Sequence, residues 1–195
     1  MSDASSPPGE RPEVYISVDV ETAGPNPADF PLLSIGACLV SDPEVGFYAE
    51  LKPDRDGVDE KALAVSGLSL DRLRAEGLEP ADALRGFEAW LAEVVPAGHV
   101  PLLVAYNAGF DWMFLADCFH RYLGRNPFGH SAIDVKAYYM GMTGVTWART
   151  AMRHVAPEVI GGITLTHHAL EDARDQARIF AALLERSRGI QDEGV

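Results

Sequence analysis

The segment Val14-Tyr-Ile-Ser-Val-Asp-Val-Glu-Thr-Ala-Gly24 constrains the fold of this chain more than any other. Residues 14–20 are mostly β-branched or aromatic and predict a buried strand. Asp19 and Glu21 interrupt this apolar pattern near the carboxyl end of the strand. Because side chains two residues apart point to the same face of a strand, both carboxylates are expected to face one point.

The paired acids in this segment suggest a cation site. Two carboxylates held side by side repel each other, which raises a carboxyl pKa unless a cation lies between them. Carboxylate oxygens are ligands that suit Mg²⁺ or Mn²⁺. A strand end with two solvated acids explains the same pattern, so this segment alone leaves both interpretations open.

The composition is that of one globular domain, with 195 residues of which 47% are apolar and 23% charged. The formal net charge of −13 argues against a protein that binds long duplexes through a basic surface. A pocket for the end of a nucleic-acid strand stays compatible with this charge, because bound metal ions supply local positive charge. We expect a disordered lead-in at 1–12, one domain at 13–187 and a tail at 188–195.

The cysteines and the apolar runs bear on the environment of the protein. Cys38 and Cys118 lie in apolar segments, so we expect two reduced core residues in a cytoplasmic protein, with a disulfide as the weaker alternative. No apolar run approaches the roughly 18 residues that span a bilayer. The polar N-terminal residues lack the apolar segment of a signal peptide. We therefore expect no membrane partner.

Strands come first along the chain and then alternate with helices. Predicted strands cover 14–20, 32–40, 46–51, 102–106 and 132–135. Predicted helices cover the stretch from 59 to a break at Gly67, the turns after an N-cap at Ser69, and residues 79–95, 110–122, 136–142, 147–155 and 167–186. The short link between the second and third strands predicts an antiparallel hairpin. The order predicts an α/β domain in which helices flank a mixed sheet.

A second group of candidate residues follows the strand at 102–106. Asn107 and Gly109 make a turn there, and Asp111 falls in the first turn of the next helix. The helix dipole alone also favours an acid in this position. Phe110 is of a type usual in cores, but at a strand-to-helix mouth it can also stack on a base.

A third group surrounds the start of the last helix, where His167 and His168 precede Asp172. A histidine at a helix mouth and an acid one turn later can approach the same cavity. His168 and Asp172 are four residues apart and share a face if the helix covers both. Periodicity does not choose between the two histidines, and a solvated acidic surface explains the segment as well.

Together, the segments Val18-Asp-Val-Glu-Thr22, Asn107-Ala-Gly-Phe-Asp111 and His167-His-Ala-Leu-Glu-Asp-Ala173 resemble the three motifs of the DEDDh 3′–5′ exonucleases. This superfamily includes ribonuclease T, oligoribonuclease and the proofreading subunit of bacterial DNA polymerase III. The resemblance runs from residue 14 to residue 184 and includes Leu33-Ser-Ile-Gly-Ala37. It implies a ribonuclease-H-like fold with a mixed five-stranded sheet.

The resemblance also implies roles for individual residues. Asp19, Glu21, Asp111 and Asp172 would hold two Mg²⁺ or Mn²⁺ ions, with Asp19 bridging both. The family places its histidine five residues before the last Asp, and this spacing selects His167 as the general base.

The implied substrate is the 3′ end of single-stranded RNA or DNA, from which nucleoside 5′-monophosphates are released. Thr22 and Ala23 would contact the terminal nucleotide through the backbone, and Phe110 would lie beside its base. Tyr106 and Trp112 are expected in the core. The acidic charge favours short oligonucleotides over long substrates. The segment Val18-Asp-Val-Glu-Thr-Ala-Gly24 is locally most similar to ribonuclease T, and this similarity favours RNA, with DNA proofreading or repair as the alternative. A non-catalytic partner subunit is a further alternative, and a homodimer is compatible with the family.

Overall fold

The computed structural model describes residues 11–162 and 166–192. Its strands are β1 (Glu13–Thr22), β2 (Leu32–Leu39), β3 (Gly46–Glu50), β4 (Val100–Ala105) and β5 (Ala132–Asp134). Its helices are α1 (Glu60–Ser66), α2 (Leu70–Glu76), α3 (Pro80–Val94), α4 (Gly109–Leu123), α5 (Val135–Thr143), a 3₁₀ helix (Trp147–Thr150), α6 (Met152–Ile160) and α7 (Ala169–Asp192). Residues 1–10 of the predicted lead-in and 193–195 of the predicted tail lie outside the described residues.

β1 lies at the centre of a five-stranded sheet whose order is β3-β2-β1-β4-β5. β2 pairs antiparallel with β1 and with β3, whereas β4 runs parallel to β1 and to β5. This mixed sheet confirms the predicted ribonuclease-H-like architecture, and the β2–β3 pairing confirms the predicted hairpin. Because β1 and β4 are parallel neighbours, the chain leaves both strands at the same edge of the sheet.

Alternation along β1 sends its side chains into two layers. The Ser17 hydroxyl points to α7 and donates a 2.8 Å hydrogen bond to the carbonyl of Ala173. Asp19 and Glu21 continue this set and emerge beside α7 at the carboxyl end of β1, as predicted. The apolar residues of the other set are buried in the layer that contains α3 and α4: Ile16, Val18 and Val20.

Gly36 on β2 determines how closely α7 approaches the sheet. A Cβ atom at this position would lie 2.1 Å from the backbone carbonyl carbon of Ala169 and 2.1 Å from the backbone nitrogen of Leu170. Only glycine therefore lets the first turn of α7 rest directly on β2. This close contact brings the residues just before and within that turn to the carboxyl end of β1.

β1 is longer than predicted, because its pairing with β2 continues through Glu21 and Thr22. A register shift between these two residues marks a bulge, a feature that often redirects side chains near functional sites. The apolar pattern ends at Val20, but the backbone ladder needs no apolar side chain where that side chain faces a cavity.

The helix predicted at 147–155 consists of two elements. The Thr150 hydroxyl donates to the carbonyl of Trp147 at 2.7 Å, and Ala151 is extended before α6 begins. α6 then continues through Pro157 to Ile160, beyond the predicted end.

The last helix begins later and ends later than predicted. α7 starts at Ala169, because His167 has a left-handed backbone conformation with a φ of 53°. The helix passes through Gly189 to Asp192. A single glycine weakens a helix without necessarily ending it, so the polar C-terminal sequence was a poor guide to this boundary.

The two cysteines are buried on opposite faces of the sheet. Cys38 packs with the residues under α6 and α7, and Cys118 packs with those of α3 and α4. Both are free thiols, as predicted, and the sheet between them rules out a bridge. Within the described ranges, no helix combines the length and apolarity that a bilayer crossing requires.

Candidate active site

A cavity of about 420 Å³ opens at the edge of the sheet where β1 and β4 end. It contains every acid and the histidine that the resemblance singled out, and Phe110 as well. The lining residues are Asp19, Val20, Glu21, Tyr106, Asn107, Phe110, Asp111, Lys136, Ala151, Met152, His167, Asp172 and Gln176.

Glu21, His167 and Asp172 form a compact group within the cavity. One potential ligand atom of each side chain lies within 4.8 Å of those of the other two. Asp19 and Asp111 lie close enough for their charges to act on each other and on Glu21. The first motif, the helix after β4 and the start of α7 therefore converge on one point.

Two of the acids are held by hydrogen bonds from the backbone. Asp111 is buried in the first turn of α4, and its Oδ1 accepts from the N–H of Val20 at 3.1 Å. Asp172 is buried in the first turn of α7, and its Oδ1 accepts from the N–H and the hydroxyl of Thr166 at 3.2 and 3.3 Å. These bonds tie α4 to β1 and the segment before α7 to the helix itself.

Burial and mutual repulsion raise the pKa of three carboxyls. Burial, followed by the charge of Asp172, raises the pKa of Glu21 to about 7. Burial also raises the pKa of Asp111 to about 7, although the hydrogen bond from Val20 opposes this change. The pKa of Asp19 lies well above its ordinary value, first because of burial and then because of the surrounding carboxylates.

A divalent cation fits this donor set. Carboxylate oxygens are the preferred ligands of Mg²⁺ and suit Mn²⁺. A cation among these oxygens would offset the repulsion that raises their pKa values. The cavity therefore has the chemistry of a metal site, with oxygen donors from Asp19, Glu21, Asp111 and Asp172.

The two histidines before α7 point to different places. His167 is exposed to solvent and lines the cavity beside Glu21 and Asp172. His168 stacks on Tyr48, with the ring centres 4.4 Å apart and the planes inclined by 22°. His168 is not among the lining residues, so the arrangement favours His167 as the histidine available for chemistry.

Unusual backbone conformations occur at the cavity. In residues 11–162 and 166–192, two residues other than glycine have a positive φ, Asn107 at 72° and His167 at 53°. Both line the cavity. Such conformations are uncommon for side-chain-bearing residues and cluster at functional sites, although asparagine tolerates them better than histidine.

The turn that carries the second motif is fixed by Asp134 at the end of β5. Its Oδ2 accepts from the N–H of Ala108 at 2.8 Å, and its Oδ1 accepts from the N–H of Ala137 at 2.9 Å. One carboxylate therefore caps α5 and holds the turn before α4. This brace positions Phe110 and Asp111 at the cavity.

The three residues predicted to contact substrate are placed differently. Phe110 lines the cavity and packs against Phe114, with ring centres 5.3 Å apart. Thr22 and Ala23 are buried and are not among the lining residues. The Ala23 N–H donates to Pro31, and its carbonyl accepts from the N–H of Asp59. Both backbone groups of Ala23 are thus already hydrogen-bonded within the protein. Of the three residues, only Phe110 lines the cavity in the described structure.

Sequence reasoning missed Gln176, which lies on α7 with only 2% of its surface exposed. Its Nε2 donates to Oδ1 of Asp19 at 2.6 Å, and its Oε1 accepts from the N–H of Tyr106 at 2.8 Å. A signal did exist, because Gln176 follows Asp172 by four residues and so shares its helix face. A polar residue on that otherwise apolar face calls for a buried partner.

Lys136 was also missed, and Tyr106 was only partly anticipated. Lys136 is a single cation in an otherwise largely apolar helix, and nothing in the local pattern marks it as a cavity residue. Tyr106 packs against the core as predicted, but it also lines the cavity. Trp112 packs against the core, as predicted.

The chain matches a family model over residues 14–184, described as the Rv2179c-like 3′-5′ exoribonuclease domain. Among curated proteins it is similar to the 3′-5′ DNA exonuclease Cap18 of Escherichia coli, with 42% identity over 172 residues. That alignment covers 86% of this chain and 90% of the relative.

Solved structures share the fold. The nuclease domain of 3′hExo, a DEDDh family member bound to rAMP, superposes with a TM-score of 0.73 at 14% identity, covering 89% of this chain and 92% of that chain. The zinc-bound complex of E. coli ExoI with single-stranded DNA gives a TM-score of 0.69 at 18% identity, covering 94% of this chain and 43% of that chain. The chain belongs to the Rv2179c-like 3′-5′ exoribonuclease family, whose fold is that of the DEDDh exonucleases.

Proposed function

We propose that this chain is a metal-dependent exonuclease that removes nucleoside 5′-monophosphates from the 3′ ends of single-stranded nucleic acids. The observation that carries the proposal is the convergence of four carboxylates and one histidine on one cavity. Family membership supports the reaction class, and the chemistry of the side chains supports the assignment of roles.

Asp19, Glu21, Asp111 and Asp172 would hold two Mg²⁺ or Mn²⁺ ions, which supply charge neutralisation and an activated water when bound. Gln176 orients Asp19, and the backbone N–H of Val20 orients Asp111. Thr166 does the same for Asp172. The acids are thus positioned by groups that do not themselves need to touch a metal.

His167 would act as the general base. Its imidazole is exposed in the cavity and can accept a proton from the water that attacks the phosphorus atom. As the new phosphorus–oxygen bond forms, the bond to the 3′-oxygen of the preceding nucleotide breaks, and solvent supplies the proton of the new 3′-hydroxyl.

The choice between RNA and DNA is open to a direct comparison. The family description names an exoribonuclease, whereas Cap18 is named a DNA exonuclease. The net charge of −13 favours short substrates of either kind. Phe110 offers an aromatic face that any base can contact, so it does not discriminate by sequence.

The test uses 5′-labelled single-stranded RNA and DNA of equal sequence, with Mg²⁺, with Mn²⁺ and with a chelator. We expect a ladder that shortens from the 3′ end, disappears with the chelator and is absent for Asp19→Ala. Relative rates on the two substrates, repeated on short oligomers, rank the substrate classes. If no substrate is shortened under either metal, the enzyme proposal fails and a role as a non-catalytic subunit becomes the leading alternative.

Two further proposals concern the setting in which the protein works. The free thiols of Cys38 and Cys118 support a reducing compartment, which we take to be the cytoplasm. A homodimer is proposed from the family resemblance alone. Light scattering coupled to size-exclusion chromatography tests it, since a mass near the 21.1 kDa of one chain would exclude it.

A further inference from the structure

Among the residues that the structure describes, Lys136 is the only lysine or arginine that lines the cavity. Its ammonium lies 4.1 Å from the centre of the Trp147 ring and 3.5 Å from Oδ1 of Asn107. No carboxylate lies within 4.0 Å of it in the described part of the chain. Uncharged groups therefore hold this cation, and its charge stays available to an anion.

Two further cations follow Trp147 in the sequence. Arg149 and Arg153 are exposed, and neither forms an ion pair with any residue that the structure describes. Ala151 and Met152, between them in sequence, line the cavity. Burial and then the charges of both arginines hold the pKa of His154 below its ordinary value.

Two arginines near the C-terminal end of α4 are already paired with carboxylates. Arg121 bonds to Asp54 at 2.9 Å, and Arg125 makes a two-pronged contact with Glu88 at 2.9 and 2.6 Å. The contrast separates structural arginines on α4 and just after it from those that flank the cavity.

The 3₁₀ helix that carries Trp147 is anchored to the sheet. The Tyr106 hydroxyl, just after β4, donates to the carbonyl of Thr150 at 2.6 Å. Thr150 is fully buried, and its own hydroxyl donates to the carbonyl of Trp147. The first bond attaches the 3₁₀ helix to the residue after β4, and the second links Thr150 to Trp147 within that helix.

These unpaired cations can attract the phosphate backbone of a nucleic acid. A phosphate backbone is repelled by a surface of net charge −13 except where positive charge is uncompensated. A lysine ammonium offers three donors and acts as a point charge for phosphate. Lys136 lines the cavity, and the exposed Arg149 and Arg153 flank in sequence two further lining residues, Ala151 and Met152, so positive charge lies both in the cavity and beside it.

We infer that Lys136, Arg149 and Arg153 form a track for the phosphate backbone of the single strand whose 3′ end enters the cavity. Lys136 contacts the phosphate nearest the cavity, and the two arginines contact phosphates further from the 3′ end. The ligand class is a single-stranded phosphodiester backbone, whatever its sugar. The inference rests on the proposed exonuclease function. It adds the path that the rest of the bound strand follows outside the cavity.

The test compares Lys136→Met, the double variant Arg149→Gln with Arg153→Gln, and wild type on a trinucleotide and a dodecanucleotide. Lys136→Met should raise KM for both lengths by about tenfold, and Lys136→Arg should restore most of the loss. The arginine pair should raise KM about tenfold for the dodecanucleotide and leave the trinucleotide unchanged. Each lost phosphate contact should also flatten the salt dependence of log(kcat/KM) by about 0.7.

Arg188→Gln is the control for net charge, because it removes one positive charge, as Lys136→Met does. Arg188 is exposed on α7, sixteen residues after Asp172, which is about 24 Å further along the helix axis. Equal KM changes in this control and in Lys136→Met would overturn the track, because the effect would then be one of overall charge. Wild-type cleavage with unchanged KM in all the variants would also overturn it, whereas a lack of wild-type cleavage would count against the exonuclease proposal itself.

Discussion

Gln176 holds Asp19 through a 2.6 Å hydrogen bond from Nε2 to Oδ1, although 157 residues separate the two in sequence. The backbone N–H of Tyr106 can only donate, and it bonds to Oε1 of the same amide. The amide therefore has one orientation, in which its NH₂ group faces the carboxylate. Asp19 lies on β1, the central strand of the sheet. The contact with Gln176 therefore orients this carboxylate before any metal binds.

Replacing Gln176 with Leu should weaken Mn²⁺ binding and turnover by roughly 10- to 100-fold, the usual cost of losing a group that orients a metal ligand. The measurements are calorimetric titration with Mn²⁺ and exonuclease rate as a function of Mn²⁺ concentration. Ser17→Ala is the matched control, because Ser17 joins the same strand to the same helix without touching Asp19. Equal losses of Mn²⁺ affinity in both variants would show that Gln176 acts only through the fold.

His167→Ala should lower turnover by about 10²- to 10⁴-fold, the contribution expected of a general base, while Mn²⁺ affinity changes little. His168→Ala should leave turnover near the wild-type value, since His168 stacks on Tyr48 away from the cavity. Single-turnover rates and Mn²⁺ titrations on both variants decide the matter. A large loss of Mn²⁺ affinity in His167→Ala would make His167 a metal ligand and leave the base unassigned.

Gly36→Ala should impair both stability and activity. The new Cβ would lie 2.1 Å from the backbone of α7, so the helix must move away from β2 and carry Asp172 with it. Overpacking of this kind costs about 1–3 kcal/mol. Gly46→Ala is the control, because its nearest contact is the flexible end of the Leu170 side chain at 2.9 Å. Thermal unfolding and exonuclease rates should separate the two variants, and similar behaviour would contradict the proposed role of Gly36.

The metal-free protein should lose stability as pH rises from about 4.5 to about 7, because the pKa of Glu21 is raised from 4.5 to about 7 in the fold. In this window the folded state keeps a proton that the unfolded state has released, so the free energy of unfolding falls and then levels off above about pH 7. Glu21→Gln removes the part of this dependence that Glu21 contributes, while the raised pKa values of Asp19 and Asp111 leave the rest. Its Tm should match the wild type near pH 4.5 and exceed it by several degrees at pH 8.

The comparison of Tm against pH includes a control variant and a second measurement with Mn²⁺. Glu93→Gln alters an exposed acid on α3 and should leave the pH profile of Tm unchanged. Adding Mn²⁺ at pH 8 should raise the Tm of the wild type more than that of Glu21→Gln, since only the native site binds the ion well. A Glu21→Gln variant that tracks the wild type at every pH would show that the burial of this acid costs the fold nothing.

Local patterns predicted the elements of this fold well. The apolar runs of β1 and β4 and the N-cap at Ser69 depend on neighbours in sequence, so they can be read without the fold. Boundaries were less predictable. Glu21 and Thr22 extend β1 because β2 pairs with them, and Gly189 lies inside α7, so in both places the residue type pointed to an earlier end.

The sequence by itself determined which residues are available for chemistry, because two acids at a strand end and acids in first helical turns are local features. Only the tertiary structure decided which of them act together. It turned His167 into the cavity and His168 onto Tyr48, engaged the backbone of Ala23 elsewhere, and added Gln176 and Lys136. These outcomes depend on contacts such as that of Asp19 with Gln176, 157 residues apart, whose geometry exists only once α7 rests on the sheet.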